Sequence, residues 1–75
     1  MKISDLQDKT IINIIDGKNI GKISDLEIDD KGNVINFYAM PRRLLFKIFS
    51  SSKETLFTIN DIKKIGEDVI LVQIN

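Results

Sequence analysis

The stretch "IINIIDGKNIGKISDLEIDDKGNVINF", Ile11–Phe37, decides how the chain is read. It contains an Asp-Gly pair at Asp16-Gly17, a strong hairpin signal between two apolar segments. It ends on "DDKGN", Asp29–Asn33, where Gly32 can take the positive φ of a second tight turn. Between the turns, Leu26 and Ile28 alternate with Glu27 and Asp29, giving one apolar and one acidic face. Ile23 is out of phase with that alternation, and an extra residue around Ser24-Asp25, a β-bulge, restores it.

The pentapeptide KISDL in this stretch (Lys22–Leu26) also occurs at Lys2–Leu6. The flanking residues do not align and no third copy follows, so it is not an internal repeat. In the first copy Gln7 follows Ser4 by three residues, the spacing of a capping box. That predicts a single helical turn with Ile3 and Leu6 tucked inward.

Further on, "GED" (Gly66–Asp68) marks a third turn, joining "IKKI" to "VILVQI". Six strands are expected, at about 11–16, 19–29, 33–40, 55–59, 62–66 and 69–74. Fifteen isoleucines among 75 residues support this, because β-branched side chains suit a pleated sheet. The expected fold class is all-β, a small six-stranded antiparallel barrel with at most one or two short helical turns.

Seventy-five residues make one domain, 1–75, near the lower size limit for a self-sufficient core. Without cysteine or histidine it has neither a disulfide nor a thiolate or imidazole metal site to staple it. No apolar run reaches the roughly 18 residues of a membrane span and no signal-peptide pattern opens the chain, so a cytoplasmic location is expected. The formal charge is zero, yet Lys31–Lys53 holds five basic and no acidic residues between two acidic ends.

The residues "KISDLQDKTIINIIDGKNIGKISDLEID", Gly32 and "IKKIGEDVILVQI" resemble the PRC-barrel family. Within it they are most similar to the short YlmC/YmxH sporulation-associated proteins of spore-forming Firmicutes. The resemblance covers nearly the whole chain and implies a compact six-stranded barrel without enzymatic activity. It further implies a docking role, since other PRC barrels serve in a photosynthetic reaction-centre subunit and a ribosome-maturation factor. The chain departs from these relatives at Thr58-Ile59, where they carry Pro-Trp, and at "PRRLLFKIFSSSKE", where they are often glycine-rich.

No constellation points to catalysis. General acid–base and nucleophilic chemistry draw mostly on His, Cys or a base-activated Ser, and Ser50–Ser52 have no such base beside them. Asp25, Glu27, Asp29 and Asp30 tempt a cation assignment. However, Asp30 and Asn36 stand where a calcium loop needs glycine and an acid, so the reading is a solvated outer face. No cofactor and no metal are expected, and the chain is not expected to be an enzyme.

Two surfaces are candidates for binding. The first is Arg42, Arg43, Leu44, Leu45, Phe46, Lys47, Ile48 and Phe49, a basic and apolar segment. It reads either as a lid over a barrel end or as a docking element for a protein of unknown identity. The alternatives are an anionic membrane surface and an RNA or ribosome contact, with nucleic acid disfavoured by a pI near 6.1. The second surface is Ile11, Ile15, Val69 and Leu71. Strands one and six are apolar on both faces, and placing Ile12, Ile14, Ile70, Val72 and Ile74 inward leaves these four outside. An outer apolar patch predicts a homodimer.

Overall fold

The computed structural model of the chain describes residues 1–41 and 54–75. All six expected strands form: β1 Thr10–Asn13, β2 Asn19–Ile28, β3 Val34–Met40, β4 Thr55–Phe57, β5 Ile62–Ile65 and β6 Val69–Val72. A five-residue helical turn, α1 Ile3–Gln7, precedes them, and a 3-10 turn, Ile59–Asp61, lies between β4 and β5. Gly17 and Gly32 hold φ at 71° and 86°, so both hairpin turns use glycine where a side chain would be strained.

The strands do not make the expected antiparallel barrel. They form a six-stranded mixed sheet in the order β4-β3-β2-β1-β6-β5, in which β1 and β6 run parallel. β4 and β5 are its two edges, and among the described residues the sheet is not closed. The cause lies at Thr58–Asp61. The Asp61 carboxylate accepts the Thr58 backbone N–H at 2.8 Å and its hydroxyl at 3.3 Å, which fixes a 3-10 turn. Such a turn carries the chain from one edge to the other without the reversal a hairpin would impose. With one reversal fewer, β6 arrives parallel to β1.

The core comprises Ile11, Ile23, Phe37, Ala39, Phe57, Ile70 and Val72. The Phe37 and Phe57 rings stack with centroids 5.2 Å apart and planes 12° from parallel, tying β3 to β4. On β2 the pairing skips from Ile23–Ala39 to Asp25–Tyr38. Ser24 is therefore the bulge residue, as the phase of Ile23 and Leu26 requires.

β1 has the opposite phase to the one read from its isoleucines. Ile11 is fully buried and Ile12 half-buried, while Ile14 and Ile15 are exposed in the turn after the strand. The reversal comes from Asn13, which is buried beside Val72. Its Nδ2 donates to the Ile74 carbonyl at 2.8 Å, and its Oδ1 accepts the N–H groups of Ile15 and Ile74, each at 3.2 Å. An amide bonded at both its nitrogen and its oxygen is admissible in a core, so the strand buries 11 and 13 rather than 12 and 14.

Candidate functional site

The unclosed end of the sheet leaves an apolar groove of about 540 Å³. One wall is the β2–β3 hairpin, through Leu26, Val34 and Phe37; the other is Ile59, Ile62 and Ile65 from the 3-10 turn and β5. The N-terminal turn adds Met1, Ile3 and Leu6. Every lining side chain among the described residues is apolar. Their exposure runs from 37% at Val34 to 80% at Met1 among the five most exposed, so the site meets water as it stands.

Local chemistry explains each wall. Leu26 of β2 lines the groove because the bulge at Ser24 restores its phase, whereas Ile28, paired with Val34 beyond a second irregularity at Ile35, is exposed and lies outside the lining. The hairpin thus carries its apolar face beyond the core. Ile59 points outward because the Thr58–Asp61 bonds hold the 3-10 turn around it. At the N-terminus the first KISDL does form a helical turn. Its cap lies two residues earlier than expected, with the Asp5 carboxylate accepting the Lys2 N–H at 3.0 Å. Leu6 packs on the core, whereas Ile3 is exposed towards the groove rather than tucked in.

Asp25, Glu27 and Asp29, on β2 and its turn, are committed locally. Glu27 Oε1 accepts the Asn36 amide at 2.8 Å and the Tyr38 hydroxyl at 3.0 Å. The bonds from Asn36 and then Tyr38 hold its carboxyl below the usual range. Asp29 is lowered too, chiefly by the Asn33 backbone N–H and then by the Asn33 side chain. Its Oδ1 accepts the N–H groups of Lys31 and Asn33, each at 2.9 Å, which makes it a clamp for the turn. Asp25 accepts the Leu26 N–H at 2.8 Å. Among the described residues no three acidic side chains converge on a cation position.

Of the two surfaces expected from sequence, Arg42–Phe49 lies outside the described residues. The other is dispersed: Ile11 is fully buried, Val69 and Leu71 are half-buried, and Ile15 is exposed. Placing Ile11 outside is therefore corrected, for the reason given by Asn13. The groove residues Met1, Ile3, Ile59 and Ile65 were not foreseen as a group. Their signal was present in "TIND", Thr58–Asp61, whose capping-box spacing separates a turn from a continuous strand.

No helix among the described residues is long and apolar enough to cross a membrane. The sequence carries no catalytic motif. Residues 1–75 match the PRC-barrel domain. Over 76 residues the chain is 32% identical to the "Probable sporulation protein YlmC" of Bacillus subtilis (strain 168), an alignment covering 100% of this chain and 94% of that protein. The chain belongs to the PRC-barrel domain family and is a homologue of its YlmC/YmxH sporulation proteins.

Proposed function

We propose that the chain is a non-enzymatic interaction module of the cytoplasm, self-associating and serving a sporulation-related role. The observation that carries this reading is the exposed apolar groove, whose lining side chains among the described residues are all apolar. A surface of that character binds by excluding water and has nothing with which to move a proton or attack a bond. The sporulation-related role rests on the name of the similar protein. The segment Arg42–Phe49 belongs to the same proposal as a second, electrostatically assisted contact with a protein partner.

The test is affinity capture from sporulating cells with the whole chain as bait. Wild-type protein is expected to retain a defined partner. The variant Ile59→Glu, and separately the triple change of Arg42, Arg43 and Lys47 to glutamate, should each lose it without a change in melting temperature. Capture unaffected by both sets of changes would remove this reading.

A further inference from the structure

We infer that Asp16-Gly17 is a site of aspartate isomerisation, which the folded turn between β1 and β2 holds closed and unfolding opens. The reaction requires only water. The Gly17 backbone nitrogen bonds to the Asp16 side-chain carboxyl carbon, and one carboxyl oxygen leaves as water, taking the N–H proton with it. The product is a cyclic imide. Water then reopens the ring by breaking the bond between the Gly17 nitrogen and the Asp16 main-chain carbonyl carbon. That leaves an isoaspartyl residue, in which the main chain runs through the former side chain. One water is lost and one regained, and nothing is oxidised or reduced.

The sequence selects the site. Glycine after aspartate leaves the attacking nitrogen unhindered by a side chain, and Asp-Gly occurs once in the chain and Asn-Gly not at all. Both residues are exposed, so water reaches the imide once it forms. The structure supplies the closure. The Gly17 N–H donates to the Asn13 carbonyl at 2.7 Å, which commits the attacking nitrogen to the end of β1. Asp16 Oδ1 accepts the Lys18 N–H at 3.0 Å, which commits the carboxyl to the amide beyond Gly17. Ring closure must break the first bond, because the imide nitrogen carries no hydrogen, and must turn the carboxyl away from the second. The rate therefore follows the population in which the turn is open. The change is also felt on refolding. An isoaspartyl link adds one carbon to the main chain between Asn13 and Lys18, which the Asn13 N–H joins to the Lys18 carbonyl at 2.9 Å. Asn13 is the buried residue whose amide holds Ile74, so a turn that no longer closes disturbs the β1–β6 side of the sheet.

The test follows isoaspartate in the full chain, folded and in guanidinium chloride, by isoaspartyl methyltransferase labelling and peptide mapping. Labelling should appear at Asp16, and should accumulate about tenfold or more slowly in the folded protein. Equal rates in the two states overturn the closure. No label at Asp16 in the unfolded chain overturns the site. Asp16→Asn keeps the oxygen that accepts the Lys18 N–H and forms the same ring with loss of ammonia, so a mass gain reports it independently. That variant should show the same contrast between folded and unfolded chain, and its absence counts against closure by the turn. Isoaspartyl protein, separated and refolded, should melt below the unmodified chain; an equal melting temperature overturns the effect on refolding.

Discussion

Tyr38 is the chain's one tyrosine, and there is no tryptophan, so its ionisation can be followed without interference. Its hydroxyl donates to Glu27, and that bond, followed by desolvation and the nearby charges of Glu27, Glu54 and Asp25, raises its pKa above the ordinary value. Absorbance titration of the phenolate should show the raised midpoint, and Glu27→Gln should bring it back down. A midpoint indifferent to that change would break the assigned bond. Gly21 gives a second prediction. It sits at φ 111° opposite Ile11, and a Cβ there would run into the Met40 carbonyl of the next strand. Gly21→Ala combines strain with a backbone clash and should cost more than about 2 kcal/mol. Gly17→Ala, with open space around it, should cost about 1 kcal/mol, so the two denaturant midpoints should separate clearly.

Among the elements, β1 is where pattern and packing part company. Four isoleucines at 11, 12, 14 and 15 fit either phase of a strand, and an asparagine between them argues for the phase that exposes it. The three bonds of Asn13 to the backbones of Ile15 and Ile74 remove that penalty. The outcome is measurable: Ile11→Glu should abolish folding, because it places a charge at a fully buried site, whereas Ile14→Glu should shift the melting temperature little. Equal effects of the two changes would contradict the phase. β2 behaves differently. Its bulge was readable because Ile23 and Leu26 are three apart in a stretch that otherwise alternates, and a strand can bury both only with one residue to spare.

At the scale of the whole molecule, stability should fall on acidification below about pH 4. Glu27 and Asp29 have folded pKa values below their unfolded ones. The stability each contributes is complete above its unfolded pKa and is lost as pH falls through the folded value. Melting temperature measured from neutral pH downward should therefore decline, and Glu27→Gln should flatten the decline. A steeper decline in that variant would show the sign to be wrong. Both carboxylates lie on the β2–β3 hairpin, so acid should loosen first the element that walls the groove.

The strands, the glycine turns, the bulge and the family were all legible in the sequence, because each depends on neighbours a few residues apart. Turn chemistry and side-chain alternation act over that range and leave their marks on composition and spacing. Three things were settled only by the tertiary structure. The phase of β1 depended on acceptors and donors offered by Ile74, 61 residues away. The parallel pairing of β1 with β6 followed from a missing reversal at Thr58–Asp61, which no property of either strand encodes. The groove exists because the two edge strands end apart, and which apolar residues stay in water is decided by what remains unpaired after the whole sheet has formed.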